Sequence, residues 1–270
     1  MVIESSNWML IKHEKLVLRK IISHYSHKII LTRCLRRADA RIFTQSFYRK
    51  FFLKEETDRT LIMPATWIDK KNLISPDVVK KRFLDRKGET LRMIFPARLI
   101  EDKGVFVLFD AIDYLKSLDF AISITIMGSG KLENDCKAFA LRKFGKIKVF
   151  YREPAEYDDK FFSILCEYDV ILIPNLKEEQ PRIVFDAFSQ GLGVIASDTS
   201  GILDITINGK NAVIFKSADS IGLANAIREV VEKPELALQM GLNGLSYAEG
   251  KTHLQMHLDR QIFFARFLDI

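Results

Sequence analysis

A doubly wound α/β fold with a parallel sheet is what this sequence predicts, and three observations predict it. From about residue 91 onward, short apolar runs alternate with longer segments of helical period. Several of those runs are almost wholly apolar, as strands buried on both faces must be. And 270 residues, 48% hydrophobic with seven prolines, suffice to bury a core of one to two domains. Strand–helix alternation of this kind builds parallel sheets covered on both sides.

The elements follow in order. Leu91–Ala97, Ala121–Met127, Ile147–Tyr151, Val170–Pro174, Val194–Ser197 and Ala212–Phe215 read as strands. Helices are expected near 104–118, 131–144, 158–167, 182–190 and 219–232, with two more toward the C-terminus. Ligands of such sheets bind beyond the carboxyl ends of the strands, so chemistry belongs in the loops that follow them.

The region before residue 91 is different. A basic helical stretch precedes ADARIFTQS and TLIMPATWID, which read as strand ends followed by loops, too few to build a sheet of their own. The charged run KKRFLDRKGET reads as a connector to the regular part. The division expected is 1–88 as a domain remnant, 89–250 as the α/β domain and 251–270 as a C-terminal helix.

Charge is unevenly placed. Residues 1–50 hold eleven Lys and Arg against three Asp and Glu, whereas the rest hold thirty against thirty-two. Within 12–50, the stretch from Lys15 to Lys28 mixes Leu16, Val17, Leu18, Ile21 and Ile22 with Arg19, Lys20 and Lys28. That pattern fits an ordinary packed helix, or one lying on an anionic membrane surface. No nucleic-acid motif accompanies it, and no nucleic-acid partner is expected. No apolar run reaches the roughly 18 residues a membrane span needs. The start lacks the order of a secretory signal, and Cys34, Cys136 and Cys166 are odd in number and widely spread. They read as reduced thiols of a cytoplasmic chain.

Four loops carry candidate chemistry. In PARLIEDKG, residues 96–104, Arg98 ends a strand and Lys103 with Gly104 opens a helix. Two cations and a helix N-terminus then converge as an anion site, most naturally for a diphosphate. Alternatively they pair with Glu101 and Asp102 on the surface. In MGSG, residues 127–130, Gly128 permits either a tight turn or close approach of a ligand; a dinucleotide fingerprint would need glycine where Glu133 stands. The run from Ile173 to Gly191 places Glu178 in a loop and Asp186 on a helix that begins near Pro181. Such acids, near cations, suit sugar hydroxyls, or are solvated charges. In SDTSGILDIT, residues 197–206, the amides of Ser200 and Gly201 could serve phosphate or sugar oxygens. His253 and His257, spaced i and i+4, read as a surface pair, since no glutamate follows His253 as in a zinc protease. No Asp-x-Asp clamp occurs.

In this order and spacing, the landmarks RRADARIFTQS, IMPATWID, ARLIEDKG, IMGSG, YDVILIP, EEQPRIVFDAFSQG, VIASDTSG and DITINGKNAVIF resemble the C-terminal half of family 4 retaining glycosyltransferases. These are enzymes of the GT-B class, built from two facing Rossmann-like domains, and the resemblance runs from roughly residue 35 onward. It implies that Arg98 and Lys103 neutralise the diphosphate of a nucleotide sugar. It implies that Glu178 and Asp186 are the two acids of an E-x7-E motif, the first facing the donor sugar and the second the ribose. Gln180, Pro181 and Arg182 would lend backbone amides to the sugar. No metal or other cofactor is called for; the donor, UDP- or GDP-linked, is a substrate.

The sequence departs from the family's pattern at Asp186, one methylene shorter than the usual glutamate, and in length, since only the last elements of an acceptor domain are present. His13, His24 and His27 lack the context of a catalytic histidine. The function expected is therefore retaining hexosyl transfer to a glycan or lipid-linked acceptor, in polysaccharide or glycolipid assembly at the inner membrane face. The chain is then a fragment of such an enzyme, or a partner chain supplies the acceptor domain. The competing expectation is a non-catalytic binding or scaffold module descended from such an enzyme.

Overall fold

The structure, a computed structural model, describes residues 2–3, 18–53, 57–117 and 121–267. The chain opens with β1 (Val2–Ile3), α1 (Leu18–Arg37), β2 (Arg41–Phe43), α2 (Ser46–Phe52), β3 (Thr60–Ile62) and α3 (Pro76–Asp85). Strict alternation follows: β4 (Leu91–Pro96), α4 (Val105–Leu115), β5 (Ile122–Met127), α5 (Glu133–Ala140), β6 (Lys148–Arg152) and α6 (Asp159–Leu165). The second half continues with β7 (Val170–Ile173), α7 (Ile183–Ser189), β8 (Gly193–Ser197), α8 (Ser200–Leu203) and β9 (Val213–Phe215). Three helices end the chain, α9 (Ser220–Glu232), α10 (Pro234–Glu249) and α11 (His253–Ala265).

Strands β4 to β9 form one parallel six-stranded sheet in the order β6-β5-β4-β7-β8-β9. All six strands read from the sequence are present. The apolar runs are explained by burial on both faces. Met93 and Phe95 of β4 and Leu172 of β7 enter one core with α4 and α9, while Ile94, Ile171 and Ile173 enter the other with α6 and α7. Period-2 alternation thus separates two cores, not core from solvent. Each fully buried side chain of this kind contributes about 1.5–3 kcal/mol.

Two expectations about the first 90 residues are corrected. β2 and β3 do build a sheet of their own, because β1, only two residues long, pairs in parallel beside β2. A strand of that length leaves no readable period. The charged run is not an extended connector: its KKRFLD half completes α3, which Ser75 caps and Pro76 opens. Arg82 donates to the carbonyls of Gln190 and Gly191 at 3.0 and 2.8 Å, so α3 is fastened to the large sheet's second layer.

Of the basic stretch, His13 and the residues Lys15, Leu16 and Val17 lie outside the described residues. The rest lies on α1, where Leu35 is buried but Leu18, Ile22, Tyr25, Ile29 and Ile30 are each more than half exposed. α11 returns to the small sheet, placing Phe263 against Ala40 and Ile42. His253 and His257 form the surface pair expected, their Nε2 atoms 3.1 Å apart. Among the described residues no helix is long and apolar enough to cross a membrane.

Candidate active site

The sheet order reverses direction between β4 and β7, and α/β sheets hold ligands outside such a switch point. A cavity of about 420 Å³ opens there. One wall is the loop after β4, with Pro96, Ala97, Arg98 and Lys103; the other runs from Asn175 through Glu179–Gln180–Pro181–Arg182 to Asp186; Trp67 and Tyr157 stand at the rim.

Glycines set the first wall. Gly104 precedes α4 at φ +77, and a Cβ there would stand 1.9 Å from the carbonyl oxygen of Pro174, so only glycine lets the Lys103 turn meet the end of β7. Gly128 lies behind the wall. At φ +150 it brings the MGSG turn so close to Ala97 that a Cβ would meet that carbonyl oxygen at 1.9 Å, and Leu99 N–H donates to Ser129 O at 2.8 Å. Gly128 does not line the cavity; it packs the MGSG turn against Ala97, next to Arg98.

The second wall is clasped by the amino-terminal region. Ala65 N–H donates to Gln180 Oε1 at 2.9 Å, and Gln45 Nε2 to Glu178 O at 3.2 Å. Ser46 donates to Asp204 through both its amide, at 2.5 Å, and its hydroxyl, at 2.7 Å. Glu178 itself is exposed, turned from the cavity, and accepts from the Ser200 amide at 2.7 Å. Gly201 closes this contact, since a Cβ would stand 2.2 Å from Glu179 O. Glu178, Ser200 and Gly201 therefore form one group beside the cavity, whereas Arg98, Lys103, Gln180, Pro181, Arg182 and Asp186 line it.

Charge within the cavity is finely divided. The surface pairing considered for Lys103, with Glu101 or Asp102, is not what forms: its ammonium is paired with Glu179, which also accepts from Asn175 Nδ2 at 3.1 Å. Arg98 is exposed and makes no side-chain hydrogen bond or ion pair among the described residues. Arg182 lies 3.7 Å over the Trp67 ring, a cation–π contact. Asp186 is only 4% exposed, and its Oδ1 accepts from the Tyr157 hydroxyl at 2.7 Å. Burial pushes the Asp186 carboxyl up to about 7, against the opposing pull of that hydrogen bond and of Arg182. Burial and the neighbouring carboxylate likewise push the Tyr157 phenol up. Gln180 Nε2, Thr199 Oγ1 and Ser200 Oγ are buried donors without a hydrogen-bond partner among the described residues.

Trp67, Tyr157, Asn175 and Glu179 did not emerge from the sequence. Glu179 is adjacent to a chosen acid, and its separation of 76 residues from Lys103 gave no sign of their contact. Trp67 stood in a run read as a strand end. Nothing local marks Tyr157.

Fold and cavity together define a class: a doubly wound α/β protein with a cationic cleft at its switch point. The chain belongs to the glycosyl transferases group 1 family, whose match covers residues 79–246. It is 24% identical over 225 residues to an uncharacterized glycosyltransferase, MJ1178, of Methanocaldococcus jannaschii, covering 78% of this chain and 61% of that protein. Over 159 residues it is 29% identical to the amylovoran biosynthesis glycosyltransferase AmsK of Erwinia amylovora, covering 56% of this chain and 38% of that one. The chain thus spans less than two thirds of these curated relatives. The fold is shared with Anabaena HepE in complex with UDP, at TM-score 0.71 and 15% identity over 89% of this chain and 68% of that one. It is shared also with WaaG, a glycosyltransferase involved in lipopolysaccharide biosynthesis, at TM-score 0.65 and 17% identity over 93% and 70%.

Proposed function

We propose that this chain is the donor-binding half of a family 4 retaining glycosyltransferase, holding a UDP- or GDP-linked sugar for transfer to a glycan or lipid-linked acceptor. The observation that carries the reading is the cleft between β4 and β7, with Arg98 and Lys103 on one wall and Arg182 and Asp186 on the other. UDP is the ligand named for the Anabaena structure that shares this fold, which supports the same nucleotide class here.

On this reading the diphosphate lies against Arg98 and Lys103. As the glycosidic bond breaks, negative charge grows on the leaving phosphate oxygen, and cations fixed in place beforehand stabilise it most. Asp186 accepts from a ribose hydroxyl. Gln180 Nε2, which lines the cleft as a buried donor with no partner among the described residues, meets a sugar oxygen; Glu178 steadies that side through the Ser200 amide. The reading needs no metal, because the two cations do the neutralising. The donor domain is 89–250, and 1–88 contribute the end of an acceptor-side domain; further residues of the same protein, or a partner chain, complete it at the cytoplasmic membrane face.

Calorimetric titration with UDP and GDP tests this. The expected result is saturable binding of one of them, weakened at least about a hundredfold by Arg98→Ala with Lys103→Ala. Flat titrations of the folded wild-type chain would leave the scaffold reading in its place.

A further inference from the structure

We propose that Glu179 is the resident counter-ion of the donor cleft: its carboxylate occupies Lys103 where a phosphate would bind, and a ligand must exchange with it. The proposal rests on the donor-site reading above.

Three features carry it. First, the Lys103–Glu179 pair is shielded, its side chains 15% and 27% exposed, and it lines the cavity instead of decorating the surface. Water and salt screen such a pair less than an exposed one. Second, both ends are anchored. Lys103 is set by the Gly104 turn, and Asn175, which donates to Glu179, is 3% exposed with its own carbonyl taken by Ser197 Oγ at 2.6 Å. Third, the other acid of the cleft does not compete, because Asp186 is engaged by Tyr157. Of the three cations that line the cleft, Lys103 alone is met by a carboxylate among the described residues.

An incoming diphosphate offers more charge and more acceptor oxygens than one carboxylate, so it displaces Glu179 from Lys103. Glu179 then keeps only Asn175 and faces a like-charged phosphate. Any ligand whose phosphate reaches Lys103 bears the cost of this exchange, and a nucleoside without phosphate does not. Glu179 is thereby a specificity-determining residue that raises the anionic charge a ligand must bring.

Wild type, Glu179→Gln, Lys103→Met and the double variant are titrated with UDP, inorganic pyrophosphate and uridine. Glutamine keeps the side chain's size and an acceptor for Asn175 while freeing Lys103. The expected result is about tenfold tighter binding of UDP and pyrophosphate in Glu179→Gln, with uridine changed less than about twofold. In the Lys103→Met background that gain should vanish. Glu179→Ser, tested the same way, should also tighten UDP. UDP binding that Glu179→Gln leaves unchanged or weaker, or an equal gain without Lys103, overturns the proposal and leaves the donor reading standing. A gain for pyrophosphate with no UDP binding in any variant overturns the nucleotide reading alone. No binding of either overturns both.

Discussion

The two sheets of this molecule solve the burial problem differently. The six-stranded sheet sends alternate residues of the same strand into two complete cores, so that Ile94 and Phe95, neighbours in sequence, are both almost wholly buried on opposite faces. The three-stranded sheet has smaller clusters, one built on Leu35, Phe43, Tyr48 and Phe52, the other on Ala40, Ile42 and Phe263. The helix lying over the first of them, α1, keeps an apolar row in solvent, with Leu18 71% and Ile22 61% exposed. A sheet closed on both faces holds its loops in fixed positions, as a cleft made of loops requires. A sheet with an unfilled helix face leaves surface for something else to cover.

Paired substitutions can break this contrast. Leu108→Ala, in α4 beneath the large sheet and fully buried, should cost about 3–4 kcal/mol in denaturant unfolding. A loss under about 1 kcal/mol would show that the larger core is loosely packed. The next effect is at the cleft. Because burial raises the Asp186 carboxyl to about 7, above its unfolded value of roughly 3.9, the folded state favours the protonated acid. Its stabilising contribution is full below about pH 4, is lost as pH rises to 7, and is flat beyond. Asp186→Asn removes that dependence. It should gain about 1–3 kcal/mol on wild type between pH 4 and pH 8, read from melts across the range. Parallel pH profiles would mean that Asp186 is solvated. The smallest effect is expected at Ile22→Ser on α1, within about 0.5 kcal/mol. A loss above about 1.5 kcal/mol would mean that the apolar row is already covered and that the two regions are alike.

The same contrast explains what could be read from sequence. VILI and GVIAS are legible as strands because burial on both faces leaves no other composition available to them. Arg98 and Lys103 were legible as residues of the cleft because they follow the carboxyl end of such a strand. β1 was not, since two residues carry no period, and its pairing with β2 is a long-range event. Neither was α3, where Lys80, Lys81, Arg82 and Asp85 look like a solvated run until Arg82 finds the carbonyls of Gln190 and Gly191. Tyr157 and Asp186 are 29 residues apart, and only the fold makes them partners.

The return of α11 to the small sheet sets an order in time. The cluster that joins Ala40 and Ile42 to Phe263 cannot close until a residue roughly 220 positions downstream has been made. At ribosomal rates of about 5–20 residues per second, that is a wait of about 10–45 s. The whole six-stranded sheet is synthesised in the interval. Ala40 and Ile42, made before any strand of that sheet, are thus among the last residues to finish their packing.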